Sequence, residues 1–239
     1  MAEATATNLR EAAQGAGTSA LVPGPYSTPY RYTDRATKAV YIWKKYSEAL
    51  RGSVLDVGCD AAPLRHLVSR QDEYVGVDMR PDADIVLNLD HDTRPDGTIL
   101  PFADRSFDTV LCTDVLEHVD RCHRVFDELC RVSRDRVIVS LPNPLGNMIE
   151  SLKKGTNGRM KYYGLPVEPP ADRHRWFFGF EEAAEFMKGR GAKNQFAVEQ
   201  LDIECTQDHY WYVGPACRDV LNSLNVRAGT SWCVLRRQG

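Results

Sequence analysis

Several features that would place this 239-residue chain in a specialised class of protein are missing. Its seven cysteines include no C-x-x-C pair, so the sequence predicts neither a disulfide framework nor a zinc ribbon, and we expect no metal site. No apolar run approaches the roughly 20 residues of a membrane-spanning helix. The first residues lack the basic and apolar segments of a secretory signal. We therefore predict a cytoplasmic protein with reduced thiols and no membrane partner.

An excess of charge of one sign is also missing. The formal net charge is -3, which gives no electrostatic reason to expect nucleic acid as a partner. Apolar residues make up 43% of the chain, enough for a full hydrophobic core. We predict a flexible N-terminal arm over residues 1–28, which are rich in Ala, Gly and Thr, followed by one domain over residues 29–239.

The rest of the chain alternates between strand-like and helix-like segments. A helix capped by Asp34 and ending near Leu50 comes first, and the apolar runs "SVLDV", "EYVGVD", "ADIVLNLD", "FDTVLCTD" and "DRVIVSLP" follow, with helical stretches such as "PLRHLVSR" between them. Repeated β-α-β units predict an α/β fold with a doubly wound parallel sheet. Pro- and Gly-rich sequence over residues 142–178 predicts an insertion after the fifth strand. A helix at "FEEAAEFMKGR", another near residues 213–224 and two more strands complete the pattern.

Glycine is scarce where a nucleotide-binding loop is expected. In "VGCDAAP", after the first strand, only Gly58 remains, and it lets a ligand approach the backbone closely. Asp78 ends the second strand about twenty residues later, the spacing of a carboxylate that accepts ribose hydroxyls. An NAD-dependent oxidoreductase is the rival interpretation, but it needs G-x-G-x-x-G to admit the pyrophosphate, and the later glycines are absent.

Four motifs occur in order over roughly residues 50–145: "VLDVGC", "YVGVD", "LPFADRSFDTVLCTDVLEHVD" and "RVIVSLPN". Together they resemble the class I S-adenosylmethionine-dependent methyltransferases, in particular the type 11-like subgroup. The resemblance implies a Rossmann-like seven-stranded sheet with its last strand antiparallel, and S-adenosylmethionine as cofactor. That family usually has G-x-G-x-G in the loop. Here Asp60 can tolerate the left-handed backbone, while Ala62 adds a methyl group where we expect the cofactor to approach.

The resemblance also implies candidate residues for each part of the cofactor. They are Asp56 and Gly58 at the methionine end, Asp60 in the loop, Asp78 with its neighbour Met79 at the ribose, Asp90 and His91 at the adenine, and Thr113 and Asp114 beside the sulfonium.

Three residues are candidates for orienting or deprotonating a methyl acceptor. Glu117 and His118 lie in "VLEHV" after the fourth strand, and His174 lies in the insertion. Histidine has a suitable intrinsic pKa for a general base. A structural role in a packed turn is an equally good interpretation of His118.

The insertion combines aromatic with cationic side chains, which suits a sugar or an aromatic ring bearing phosphate or carboxylate. Packing of the loop onto the sheet is the alternative. "TDVL" stands where enzymes that methylate base amines or amides have N-P-P-Y, which disfavours nucleic acid as substrate. We predict O-methylation of a sugar or another small metabolite, either neutral or anionic. A degenerate fold acting as a non-catalytic scaffold is the alternative, and a homodimer is compatible with the sequence. The aromatic residues of the insertion are Tyr162, Tyr163, Trp176, Phe177 and Phe178, and its cationic residues are Lys153, Lys154, Arg159, Lys161, Arg173 and Arg175.

Overall fold

The computed structural model describes residues 32–68, 70, 73–153, 162–170, 172–204 and 223–239. The predicted N-terminal arm, part of the insertion and most of the predicted helix near residues 213–224 therefore lie outside the described residues. The α-helices are α1 (Arg35–Tyr46), α2 (Cys122–Val132), α3 (Pro144–Lys153), α4 (Phe180–Lys193) and the single turn α5 (Leu224–Arg227). The strands are β1 (Val54–Val57), β2 (Tyr74–Asp78), β3 (Ile85–Val86), β4 (Phe107–Thr113), β5 (Ser133–Pro142), β6 (Phe196–Ile203) and β7 (Thr230–Arg237).

The described strands form one seven-stranded sheet in the order β3-β2-β1-β4-β5-β7-β6. The first five strands are parallel, whereas β7 pairs antiparallel with both β5 and β6. The predicted doubly wound sheet with an antiparallel last strand is confirmed. The strand order reverses between β1 and β4, and open α/β sheets bind ligands beyond the carboxyl ends of the strands at this point.

Two clusters of buried apolar side chains flank the sheet. Successive residues of β1 belong to different clusters, Val54 to one and Leu55 to the other, because side chains alternate between the faces of a strand. Phe126 of α2 packs into the first cluster. Tyr41 of α1 packs into the second, where its ring centroid lies 5.2 Å from that of Trp232 in β7. The central strands are thus covered on both faces, which holds their carboxyl ends in place.

The segment after β1 differs from its predicted structure. Instead of a regular helix over "PLRHLVSR", a 3-10 helix spans only Pro63–His66. Pro63 occupies the first turn and has no N–H group, so this short helix offers few free amides at its start. The turn itself must therefore provide the contacts.

The start of the predicted insertion also differs, because residues that read as a loop form α3. Pro144 is tolerated at the first helical turn, where its missing N–H has no partner to lose. The Asn143 side chain caps this end: its Oδ1 accepts the N–H of Leu145 at 3.1 Å. The same side chain donates to the carbonyl of Ala228 at 2.8 Å, so a distant segment helps to set where α3 begins.

Two further expectations can be compared with the described part of the chain. None of its helices combines the length and apolarity needed to cross a bilayer. Its cysteines are free and buried, and they are Cys59, Cys112, Cys122, Cys130 and Cys233.

Candidate active site

The carboxyl ends of β1, β2 and β4 open into one cleft of about 310 Å³. Its walls include Gly58 after β1, Asp78 at the end of β2 and Asp114 after β4. These three strands are neighbours in the sheet, so residues that are far apart in the sequence meet here. The cleft has the position expected of a ligand site in an open α/β sheet.

The turn after β1 keeps the backbone shape of a glycine loop although it contains a single glycine. The φ angles are +81° at Gly58, +51° at Asp60 and +50° at Ala62. Asp60 therefore adopts the left-handed conformation that a short polar side chain tolerates. A Cβ atom at Gly58 would overlap the side chain of Val115, so the remaining glycine is required for steric reasons.

Asp78 links this turn to the end of β2. Its Oδ2 accepts the N–H of Asp60 at 2.8 Å, and its Oδ1 accepts the N–H of Arg80 at 3.1 Å. A carboxylate has about four lone-pair sites, so each oxygen retains capacity for a ligand hydroxyl. Because Asp78 lines the cleft, it can accept hydrogen bonds from a vicinal diol there.

Two arginines offset the negative charge that Asp60 brings to the cleft. Arg80 Nη1 lies 3.2 Å from Asp60 Oδ1, and Arg35 Nε lies 3.5 Å from Oδ2. Both guanidinium groups line the cleft and are solvated, so each ion pair contributes little to stability. Their effect is to make the local charge more nearly neutral than the sequence of the loop indicates.

The side chain of Ala62 lies away from the cleft. It packs against the apolar cluster that contains Tyr41 and Trp232, and it lines a different surface pocket. The structure therefore does not bring this methyl group to the cleft where we expect the cofactor. Ala62 instead introduces backbone strain into the loop, because its φ angle is positive.

Replacing Ala62 with glycine should raise the free energy of unfolding by about 1 kcal/mol. A left-handed L-residue costs roughly 1–2 kcal/mol, and the greater freedom of glycine in the unfolded chain removes part of that gain. The matched control is Ala61→Gly, whose backbone lacks a positive φ and which should lose about 0.5–1 kcal/mol. Urea unfolding measures both, and equal effects of the two substitutions would contradict the assigned strain.

Asp56 and Thr113 face a smaller pocket of about 30 Å³ that shares Gly58 and Asp60 with the cleft. Asp56 is buried in β1, and its Oδ2 accepts the hydroxyl of Tyr74 at 2.5 Å. Burial raises the pKa of Asp56 to about 6, against the lowering effect of that hydrogen bond. This pocket, rather than the larger cleft, is where the two predicted residues lie.

Lys38 is a functional candidate that the sequence analysis missed. Helix α1 carries it to the end of β4, where its buried Nζ donates to Asp114 Oδ2 at 2.7 Å and to the carbonyl of Thr113 at 3.1 Å. Ser140 donates to the other oxygen of Asp114 at 2.5 Å. Although burial opposes ionisation, Lys38 and these hydrogen bonds lower the pKa of Asp114. The one sequence signal is a lysine within the apolar run "KAVYIW", which does not reveal its partner.

Met79, predicted beside the ribose, and Asp90, predicted at the adenine, both line the cleft. The Oδ1 of Asp90 accepts the N–H of Arg121 at 3.3 Å, which holds the loop after β3 against the start of α2. His91 is exposed and is not among the lining residues, so the structure does not bring it to the site. Apolar side chains line the same cleft, and they are Val77, Leu87, Leu89, Val115 and Val119.

The three residues predicted to orient or deprotonate the methyl acceptor come together at the turn after β4. A 3-10 helix, Leu116–His118, carries two of them, and His174 arrives from the loop before α4. The ring centroids of His118 and His174 are 4.5 Å apart, and His118 Nε2 lies 3.6 Å from Glu117 Oε1. Glu117 is 1% exposed, and neither of its carboxylate oxygens has a hydrogen-bond partner. Burial, together with the charge of Asp114, raises the pKa of Glu117 well above its usual value.

Glu117 also lines a second cavity of about 240 Å³. Since His118, the next residue, lines the cleft, the two spaces are adjacent at this turn. The walls of the second cavity are largely aromatic and aliphatic: Leu116, Leu141, Trp176, Phe177, Phe178, Ala183 and Phe186.

The other aromatic and cationic residues of the insertion take different positions. Tyr162 stacks on His174 with ring centroids 4.3 Å apart, and Tyr163 contacts the same histidine. Arg173 and Arg175 are exposed, and Arg175 lies 3.5 Å from Asp120. The side chains of Lys153, Lys154, Arg159 and Lys161 lie outside the described residues.

Known proteins similar to this chain share its central region. A family profile described as "Methyltransferase domain" matches residues 55–140, which extend from β1 into β5. An "Uncharacterized methyltransferase" of Mycobacterium sp. (strain KMS) is 35% identical over 108 residues, which cover 42% of this chain and 43% of the relative. The matched region thus spans less than half of the relative's length.

Solved structures share the fold at low sequence identity. The small RNA methyltransferase HEN1 has a TM-score of 0.55 and 18% identity, covering 91% of this chain and 27% of that chain. The PH0226 protein from Pyrococcus horikoshii OT3 has a TM-score of 0.51 and 18% identity, covering 87% and 95%. Residues 55–140 thus match a methyltransferase domain, and the sheet has the fold of the solved structures to which this chain is similar.

Proposed function

We propose that this protein transfers a methyl group from S-adenosylmethionine to a hydroxyl group of a small molecule. The observation that carries the proposal is the adjacency of two spaces at the Glu117–His118 turn: the cleft that bears Asp78 and the cavity with aromatic walls. Such adjacency allows a donor and an acceptor to be held in line for displacement at the methyl carbon.

In this proposal the cofactor occupies the cleft at the switch point. Asp78 accepts the ribose hydroxyls, and Met79 and Asp90 flank the adenine together with the apolar wall. The methionine end lies toward Gly58 and the small pocket that contains Asp56 and Thr113. The ionised Asp114 stabilises the adjacent positive sulfonium.

The acceptor occupies the second cavity. Its volume of about 240 Å³ suits a small molecule, and its aromatic walls suit a flat face such as a sugar ring or an aromatic ring. The exposed Arg173 and Arg175 do not line this cavity, so an anionic group is not part of the proposal. Glu117, His118 and His174 lie where the hydroxyl proton must be removed.

Incubation of the protein with methyl-labelled S-adenosylmethionine and a metabolite extract tests the proposal. We expect a labelled small molecule whose new methyl group is bonded to oxygen, formed together with S-adenosylhomocysteine. A labelled amine, or binding of S-adenosylhomocysteine without any labelled product across extracts of varied origin, would contradict it.

Substituting Ala183 with leucine should raise the acceptor KM about fivefold, because the larger side chain takes volume from the second cavity. Ala183 is 2% exposed and lines that cavity from α4. The control is Ala192→Leu, at an exposed position of the same helix. Initial rates at varied acceptor concentration give KM, and the dissociation constant of S-adenosylhomocysteine should not change. An unchanged KM would place the acceptor elsewhere.

A further inference from the structure

Glu117 is an unusual group for a protein interior. It is 1% exposed, and both carboxylate oxygens lack a hydrogen-bond partner. Burial of a carboxylate without partners is costly, and such groups in native proteins are commonly paired with a cation or bound to a metal ion. In the described part of the chain no lysine or arginine forms an ion pair with Glu117, and the imidazole Nε2 of His118 lies 3.6 Å from its Oε1.

The hydrogen bond between His174 and Tyr163 determines which nitrogen of the imidazole carries the proton. The Tyr163 hydroxyl has one hydrogen, which it donates to the carbonyl of Trp176 at 2.6 Å. At its 3.0 Å contact with His174 Nδ1, Tyr163 must therefore accept. His174 then carries its proton on Nδ1 and its lone pair on Nε2. Stacking of Tyr162 on the imidazole fixes the plane of the ring.

His118 has a comparable arrangement. Its Nδ1 lies 2.6 Å from Asp172 Oδ1, although not in alignment for a hydrogen bond. A carboxylate at this position favours a proton on Nδ1, which leaves the lone pair on Nε2. That Nε2 is the atom 3.6 Å from Glu117 Oε1. Metal-binding histidines typically have such an outer partner on the nitrogen that does not bind the metal.

We propose that Glu117, His118 and His174 bind a divalent transition-metal ion such as Zn²⁺ or Mn²⁺. Their ligand atoms lie within 4.8 Å of one another, and rotation of the side chains would close them to the spacing of about 3.4 Å that tetrahedral bonds of about 2.1 Å require. Two imidazoles and one carboxylate favour such ions over Mg²⁺ and Ca²⁺, which prefer oxygen ligands. Three protein ligands leave a coordination position open, as in catalytic metal sites.

The role of this ion rests on the proposed function, although its binding does not. The ion would lie between the cleft and the second cavity, where the acceptor hydroxyl can bind it and become more acidic. The hydroxyl then loses its proton to water. Its oxygen forms a bond to the methyl carbon, and the carbon–sulfur bond breaks to leave the neutral sulfide of S-adenosylhomocysteine.

Calorimetric titration of the full chain, first treated with a chelator, tests the site with Zn²⁺, Mn²⁺ and Mg²⁺ separately. We expect one Zn²⁺ or Mn²⁺ ion per chain and much weaker Mg²⁺ binding. Glu117→Gln and His174→Gln should each weaken metal binding by more than about tenfold. Tyr163→Phe, which removes the hydrogen-bond partner of His174 Nδ1, should weaken it by about tenfold. His91→Gln, an exposed histidine outside the cluster, is the matched control and should bind as the unmodified protein does.

Folding of the variants is checked by thermal unfolding in chelator, where Glu117→Gln should not melt below the unmodified protein because glutamine keeps the size of the side chain and cannot ionise. Added Zn²⁺ should raise the melting temperature of the unmodified protein but not of Glu117→Gln. Absence of saturable binding, or equal binding by folded Glu117→Gln and His174→Gln, would overturn the site. Metal binding without methyl transfer would reject the proposed function alone, and methyl transfer that is unaffected by chelator would reject the role of the ion.

Discussion

Replacing Lys38 with methionine is expected to lower the free energy of unfolding by about 3–5 kcal/mol, the range for removal of one partner of a buried ion pair. The Lys38 side chain is 7% exposed, and Nζ lies 2.7 Å from Asp114 Oδ2. Methionine retains most of the apolar stem but leaves the Asp114 carboxylate without its cation. Urea unfolding at pH 7 measures the loss.

The double variant Lys38→Met/Asp114→Asn serves as the control for this prediction. It removes both charges, so most of the stability should return, whereas an effect due to packing would persist. The deficit of the single variant should also shrink as the pH falls. In the unmodified protein the pKa of Asp114 is lowered, so the ion pair contributes its full stability above the ordinary aspartate pKa of about 3.9, and this contribution is lost as the pH falls from there through the lowered pKa of the folded state. A deficit independent of pH, or a double variant as unstable as the single one, would refute the electrostatic cause.

Asp78→Ala should weaken binding of S-adenosylhomocysteine between about tenfold and a hundredfold, or about 1.4–2.7 kcal/mol. The substitution removes the acceptor of the ribose hydroxyls. It also leaves the N–H of Asp60 without its 2.8 Å hydrogen bond, which loosens the turn that lies against the cofactor. Calorimetric titration measures the dissociation constant.

Asp96→Ala is the matched control for Asp78→Ala. Asp96 also accepts a backbone N–H, that of Thr98 at 2.9 Å, but it lies in an exposed loop and does not line the cleft. Its affinity for S-adenosylhomocysteine should equal that of the unmodified protein. If Asp78→Ala stays folded and binds with an unchanged dissociation constant, the ribose assignment is wrong.

Prediction from the sequence succeeded where local pattern and short-range geometry control the structure. The continuous apolar run "SVLDV" predicted that β1 is a strand buried on both faces. The residues that follow it were therefore expected at the carboxyl ends of the strands, where open α/β sheets bind ligands. The turn could be judged from its residue types, since Asp60 is one of few alternatives to glycine at a positive φ. The placement of Ala62 could not be judged in this way, because the direction of its side chain depends on packing against α1.

Order along the chain and the hydrophobic pattern thus establish the α/β class and the edge at which Gly58, Asp78 and Asp114 meet, because strand alternation and crossover handedness leave few other arrangements. The antiparallel last strand was expected only from the resemblance to a known family. Contacts between distant segments are decided only when the chain packs. Lys38 reaches Asp114 because α1 crosses the ends of the strands, and His174 joins Glu117 and His118 because a loop with no repeating pattern folds onto that turn. Neither contact has a periodic signal in the sequence, since each depends on two surfaces that form only in the folded protein.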